Sequence, residues 1–62
     1  MKKIADLRKQ KGEMTQEELA EVLNVSQASV STWEDNQLKM YGRNLIKLAK
    51  FFDVSVDDLL GI

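Results

Sequence analysis

Cysteine, histidine and proline are absent from this 62-residue sequence, and glycine occurs only three times. Without cysteine the chain forms no disulfide and offers no thiolate ligand, and without histidine a zinc ion would depend on carboxylates alone. We therefore expect neither a metal nor a cofactor. The absence of proline removes the strongest helix breaker, and an apolar repeat of helical period runs along the chain. The sequence thus predicts an all-α fold with about five helices.

The same absences argue against catalysis and against a membrane segment. The chain has no histidine or cysteine to serve as an activated nucleophile, and no glycine-rich phosphate loop. Asp6 and Arg8 interrupt the apolar core that a signal peptide would need after Met1-Lys2-Lys3, and no apolar run is long enough to span a bilayer. We expect a non-enzymatic protein of the cytoplasm, with no membrane contact and no small-molecule substrate.

The segment TQEELAEVLN predicts a short helix with clear ends. Thr15 and Glu18 have the spacing of a capping box, in which each side chain accepts a hydrogen bond from the backbone N–H of the other. Asn24 tolerates the left-handed conformation that closes many helices, so the helix is expected to end there. The apolar stripe of this helix is predicted to consist of Leu19, Val22 and Leu23.

A second helix follows after a turn of about three residues. Ser26 is a favourable N-cap, and the helix is predicted over 27–34 or one residue further. This is the pattern of a helix-turn-helix. With Val30 and Trp33 turned toward the core, Ser29 flanks the apolar stripe. The opposite face then carries mostly short polar side chains, namely Gln27, Ala28, Ser31, Thr32 and Asp35.

Such a face suits the major groove of DNA. The amide of Gln27 can pair with N6 and N7 of adenine, and the hydroxyls of Ser31 and Thr32 can bond several base edges. The methyl group of Ala28 can pack against the methyl group of thymine. The sequence therefore predicts a protein that reads double-stranded DNA.

Motifs along nearly the whole chain match one known family. They are Leu7-Arg8, Thr15 to Ala20, Val25-Ser26-Gln27, Val30-Ser31, Trp33-Glu34, Leu45 to Ala49 and Val54 to Leu60. With these motifs the chain resembles the Cro/repressor-type helix-turn-helix proteins, also called the xenobiotic response element family. The resemblance implies a compact, five-helix, lambda-repressor-like DNA-binding domain over residues 1–62, with its helix-turn-helix at the second and third helices. Lambda and 434 repressors dock with the second of these helices in the major groove.

The resemblance also implies roles for single residues. Base edges are expected to be read by Gln27, Ala28, Ser31 and Thr32. Gln16 is expected to contact a phosphate and Ser29 to lie near the DNA backbone. Arg8 of the first helix is expected to form a buried ion pair with Glu34, at the end of the recognition helix.

After the recognition helix the sequence departs from the family pattern, which there has a glycine, basic residues and a Pro-Ser cap. Asn36 is expected to take the left-handed conformation of that glycine and to lie near a phosphate. Lys39 and Arg43 supply positive charge beside the groove and are predicted phosphate contacts. Met40 and Tyr41 stand in place of Pro-Ser, so the next helix lacks its expected cap.

The remaining helices are predicted at about residues 2–11, at 42–52 or 44–52, and from a Ser55–Asp58 capping box to Leu60. Phe51 and Phe52 are adjacent, so both cannot face inward on one helix. Proteins of this family usually act as dimers on half-sites about 34 Å apart, and we expect a homodimer at least on DNA. The dimer surface is predicted among Phe51, Leu59, Leu60 and Ile62.

The net charge of −1 is unusual for a DNA-binding protein, which ordinarily carries a basic footprint. The charges are segregated, however, with basic residues gathered in 2–11 and 39–50 and acidic ones in 13–21 and 53–58. The favoured hypothesis is a sequence-specific transcriptional regulator of the phage or bacterial repressor kind. The alternative is a protein-interaction or antitoxin-like module that keeps the fold and binds a protein through its apolar C-terminal surface.

Overall fold

The computed structural model describes all 62 residues and contains helices with no strand. The five α-helices are α1 (Ile4–Gln10), α2 (Gln16–Leu23), α3 (Gln27–Asp35), α4 (Gly42–Phe52) and α5 (Val56–Leu60). A short 3₁₀ helix over Gln37–Lys39 connects α3 to α4. None of the helices combines the length and apolar character needed to cross a membrane. The predicted all-α class with five α-helices is confirmed.

The predicted helix ends in the α2 and α5 regions are confirmed. Thr15 Oγ1 accepts from the Glu18 N–H at 3.0 Å, and Glu18 Oε1 accepts from the Thr15 N–H at 2.9 Å. Ser55 and Asp58 form the second capping box, with N–H to oxygen distances of 2.9 and 3.3 Å. Asn24 closes α2 in the left-handed conformation, with φ of 58°. These caps satisfy backbone groups that the helices leave without a partner.

One hydrophobic core joins all five helices. α3 packs against α2, α1 and the 3₁₀ helix, while α4 contacts α2 and α5. Val30 and Trp33 are buried, as the helical wheel predicted, and of the two adjacent phenylalanines Phe52 is buried while Phe51 is half-buried. Apart from Val30, the side chains that are fully buried are Ile4, Leu19, Leu48 and Leu59.

Val22 does not belong to the buried stripe of α2, and that prediction is wrong. Its side chain is 52% exposed, because α2 turns a different set of residues toward α3 and α4. The buried residues of α2 are Leu19, Ala20 and Leu23. Val22 is therefore an apolar side chain on the surface of the protein.

The predicted left-handed conformation of Asn36 is also wrong. Its backbone is extended, with φ of −152°, because the chain continues into the 3₁₀ helix instead of a glycine-type turn. Asn36 Oδ1 accepts from the Leu38 N–H at 3.0 Å and so caps that helix. The absence of a side-chain cap at the start of α4 is as expected, since Tyr41 makes no capping hydrogen bond.

Candidate nucleic-acid interface

The third helix presents two contrasting faces. Ser26 Oγ accepts from the Ser29 N–H at 3.1 Å and begins α3, so that Gln27 is its first residue. Val30 and Trp33 anchor one face in the core. The opposite face is exposed at Gln27, Ala28, Thr32 and Asp35. The two serines within the helix, Ser29 and Ser31, are half-buried, so Ser31 is less exposed than its predicted place on the polar face implied.

A chain of hydrogen bonds connects this face to the first helix. Gln27 Nε2 lies 3.4 Å from Gln16 Oε1, and Gln16 Nε2 donates to Glu34 Oε1 at 3.1 Å. Glu34 in turn accepts from Arg8 at both carboxylate oxygens, from Nε at 2.7 Å and from Nη2 at 3.0 Å. We call these four residues the Arg8 cluster. The cluster restrains the amides of Gln16 and Gln27, which lie at the entry to the exposed face.

The ion pair within the Arg8 cluster is largely shielded from solvent. The Arg8 and Glu34 side chains are 16% and 14% exposed, and Arg8 Nη1 also donates to the Met14 carbonyl at 2.7 Å. A bidentate pair of this kind fixes both orientation and charge. The hydrogen bond that Arg8 donates to Glu34 raises the pKa of Arg8 above its ordinary value, although burial opposes the shift. Arg8 thus stays charged and neutralises Glu34 beside the exposed face.

The segment that follows α3 supplies unpaired cations. Lys39 lies in the 3₁₀ helix and Arg43 in the first turn of α4, and both are exposed. Neither forms a salt bridge, because the ion pairs of the protein are Arg8–Glu34 and Lys2–Asp58. In the exposed Asn36, the side-chain oxygen Oδ1 caps the 3₁₀ helix, and the side-chain NH₂ remains free to donate. Asp35 is the exposed residue of opposite charge in this region.

The residues predicted to form a dimer surface differ in their exposure to solvent. Leu59 has no exposed side chain and packs in the core, so its assignment to a surface is wrong. The Phe51 ring lies under Lys11, just beyond the C-terminal end of α1, with 4.5 Å between Lys11 Nζ and the ring centroid. Ile62 follows Gly61, which packs beside Met1 before the N-terminal end of α1. Phe51 is thus near the C-terminal end of α1, and the residue that precedes Ile62 is near its N-terminal end.

Sequence reasoning missed the role of Gln37, which is 5% exposed. Its Oε1 accepts from the Ile4 N–H at 2.9 Å, and its Nε2 donates to the carbonyls of Lys2 at 3.0 Å and Leu59 at 2.7 Å. We call this the Gln37 cluster. No local pattern marks it, because its partners are at least 22 positions away. The burial of Gln37 could be recognised only after the helices were packed.

The sequence of the chain matches a family model described as "Helix-turn-helix" over residues 4–59. The chain belongs to the helix-turn-helix family. This helix-turn-helix domain is also similar to the HTH-type transcriptional activator BcrR of Enterococcus faecalis, with 41% identity over 58 residues. The match covers 94% of the domain but only 28% of that relative. No solved structure matches the helix-turn-helix domain significantly.

Proposed function

We propose that this domain is a sequence-specific DNA-binding transcriptional regulator that inserts α3 into the major groove. The observation that carries the proposal is the exposed face of α3, whose first residues are Gln27 and Ala28, set on a helix whose other face is anchored by Val30 and Trp33. Membership of the helix-turn-helix family and similarity to a transcriptional activator support it. A rigidly seated helix with short polar side chains can approach base edges closely.

The proposed contacts fall into two groups. The residues proposed to read base edges are Gln27, Ala28, Ser31 and Thr32. The residues proposed to lie against phosphates are Gln16, Ser29, Asn36, Lys39 and Arg43. The side-chain NH₂ of Gln16 already donates one hydrogen bond to Glu34 at 3.1 Å, so only its second hydrogen can reach a phosphate. The Arg8 cluster therefore sets the direction of the proposed phosphate contact. Contacts of the first group specify sequence, and those of the second fix the register of the protein on DNA.

The electrostatic contribution to this binding is expected to be modest. The net charge is −1, and Asp35 is exposed on the same face as Thr32. Because Glu34 is neutralised by Arg8, the cations Lys39 and Arg43 act against one exposed carboxylate in this region. The affinity should therefore fall with salt less steeply than for a protein that makes many phosphate contacts.

We infer that the domain binds DNA as a homodimer, because one recognition helix reads too few base pairs to define a site. Phe51, Leu60 and Ile62 are the proposed apolar contacts of the dimer, and none of the three is fully buried. Repression stays a prediction, as does action in the cytoplasm. The relative of the domain is named as an activator, and this name describes that protein.

The deciding experiment is selection of binding sites from a random duplex library at low and at higher salt. The proposal predicts an enriched two-fold-symmetric motif whose half-sites are about 34 Å apart. The double variant Gln27→Ala, Thr32→Ala should lose that motif, whereas Gln10→Ala, at an exposed glutamine on α1, should keep it. Binding without any motif would instead favour the protein-interaction alternative.

A further inference from the structure

A shallow apolar groove of about 410 Å³ lies between the C-terminal ends of α2 and α4. Val22, Leu23 and Phe51 form its apolar surface, and Lys47 and Lys50 stand at its margin. Val22 is half exposed, although aliphatic side chains are usually buried. The packing of the five helices does not explain this exposure, nor does any proposed DNA contact.

The margin of the groove is positively charged. Lys11 Nζ lies over the Phe51 ring, at 4.5 Å from its centroid, and so adds a third ammonium group to those of Lys47 and Lys50. Lys47 Nζ donates to the Leu23 carbonyl at 3.2 Å, which holds it at the edge of the groove. No carboxylate lies within 4 Å of any of the three ammonium groups. This concentration of positive charge occurs in a protein whose net charge is −1.

The groove and the exposed face of α3 lie at opposite ends of α2. Gln16, beside Gln27, begins that helix, and Leu23 ends it. An eight-residue helix separates its ends by about 10 Å. A ligand in the groove would therefore lie at the end of α2 that is remote from Gln16.

We propose that the groove binds an acidic amphipathic segment of another protein, with an apolar side chain against Val22 and Phe51 and carboxylates facing the lysines. The charge of the margin selects this partner, because a basic segment would be repelled by three unpaired ammonium groups. A nucleic acid would satisfy the lysines but would leave the apolar surface without a partner.

The second cavity of the protein has no charge of one sign that would select an acidic or a basic partner. It has a volume of about 440 Å³ and lies between the N-terminal part of α1 and the end of α4. Lys2 and Lys3 line it together with Asp6 and Asp53, so charges of both signs meet there. Only the groove beside Val22 combines an apolar surface with a margin of one sign.

Nuclear magnetic resonance titration of the full chain tests the proposal. The probe is a synthetic helical peptide with leucines on one face flanked by glutamates, and its two twins carry lysine in place of glutamate or serine in place of leucine. We expect the acidic peptide alone to shift the amide signals of residues 22–23 and 47–51. Added salt should weaken this binding, because the carboxylate contacts are exposed.

Two variants locate the binding. Val22→Ser should weaken the acidic peptide by about tenfold through the lost apolar contact, and Lys50→Glu by about fivefold through the lost charge pair. Lys3→Glu is the matched control. It makes the same charge change just before α1, outside the groove, and should leave peptide affinity unchanged. The Val22→Ser protein should retain the DNA affinity of the parent chain, which separates this proposal from the proposed function.

Three results would overturn the proposal. The first is the absence of signal shifts at millimolar concentrations of the acidic peptide. The second is equal binding of the lysine twin, which would mean that the lysines do not select the partner. The third is a shift of the same groove signals when the protein alone is concentrated, which would assign the groove to a second copy of this chain.

Discussion

Two polar clusters hold the first helix to the rest of the protein, and they are built on different principles. The Gln37 cluster is neutral, nearly inaccessible to solvent, and bonded to backbone groups only. The Arg8 cluster is charged, partly exposed, and bonded mostly between side chains. The first ends in the backbone of α1 and α5, whereas the second continues to Gln27 on the proposed DNA-binding face. One cluster therefore serves the fold alone, and the other links the fold to the site.

The Gln37 cluster can be understood as a cap supplied from a distance. α1 has no side-chain N-cap at Lys3, so the Ile4 N–H needs an acceptor, and α5 is so short that the Leu59 carbonyl needs a donor. A glutamine amide carries both an acceptor and a donor. Gln37 thus satisfies the start of one helix and the end of another with a single uncharged group, which burial penalises less than an ion.

The largest expected effect is that of Gln37→Leu. The substitution leaves the buried Ile4 N–H and Leu59 carbonyl without partners, which should lower the free energy of unfolding by about 3 kcal/mol. In a domain whose core supplies only about 3–5 kcal/mol, much of the protein would then be unfolded at 37 °C. Urea unfolding followed by Trp33 fluorescence measures the change. Gln10→Leu, at an exposed position, is the control, and an equal loss in both variants would show that Gln37 is not a special position.

A smaller loss of stability is expected for Arg8→Ala. Removing one partner of a well-shielded ion pair leaves the Glu34 carboxylate uncompensated, and partial exposure limits the cost to about 2 kcal/mol. Arg8→Lys should recover only part of this, because lysine cannot bond both carboxylate oxygens in a planar fork. The double variant Arg8→Met, Glu34→Met should recover more, since no unpaired charge remains. A melting temperature unchanged by Arg8→Ala would contradict this account of the ion pair.

Gln16→Ala should reduce DNA affinity much more than it reduces the free energy of unfolding. Its hydrogen bonds to Glu34 and Gln27 are partly exposed, so the free energy of unfolding should change by about 1 kcal/mol or less. Affinity for the selected duplex should fall by about tenfold, because the Gln27 amide loses a partner that orients it and the proposed phosphate contact of Gln16 is removed. Fluorescence anisotropy at fixed salt measures the affinity. If DNA binding were retained in full, the Arg8 cluster would have no part in recognition.

The smallest effect is the acid sensitivity of α5. Hydrogen bonds from the backbone and side chain of Ser55 lower the pKa of Asp58 below its ordinary value. The folded state therefore holds this proton less tightly than the unfolded state, and the capping box stabilises the protein above about pH 3.9. That contribution should disappear as the pH falls through the lowered pKa of the folded state. Thermal unfolding from pH 7 to pH 2 should show a weaker acid dependence for Asp58→Asn than for Asp57→Asn, which changes a carboxylate that makes no capping bond.

Much of the fold was predictable because its signals are local. Capping boxes at Thr15 and Ser55, the left-handed end at Asn24 and the N-cap Ser26 each involve groups within four positions of one another. The exposed face of α3 followed from placing Val30 and Trp33 inward. Of the candidate site, the exposure of Gln27, Ala28, Thr32 and Asp35 could thus be predicted but not the partial burial of Ser31. The contact of Gln27 with Gln16 became visible only in the folded chain.

The wrong predictions share one physical cause, which is that tertiary packing, and not the local sequence alone, decided the environment of each residue. Helical period placed Val22 in the core stripe, and the search for an apolar dimer surface placed Leu59 on the outside. The structure exposes the first and buries the second. Asn36 was assigned the conformation of a family glycine, but the chain instead enters a 3₁₀ helix that its side chain caps. In each case the residue type permitted two environments, and packing selected between them.

The helices, their ends and the polar face of α3 were therefore encoded in short stretches of sequence, where a side chain and its partner lie within one turn. The Gln37 cluster was not, because its hydrogen bonds join residues 22, 33 and 35 positions apart. The lysine-rimmed groove likewise gathers residues from α2, α4 and the end of α1 that share no local pattern. Contacts of this range exist only when helices pack, since packing brings distant backbone and side-chain groups within bonding distance.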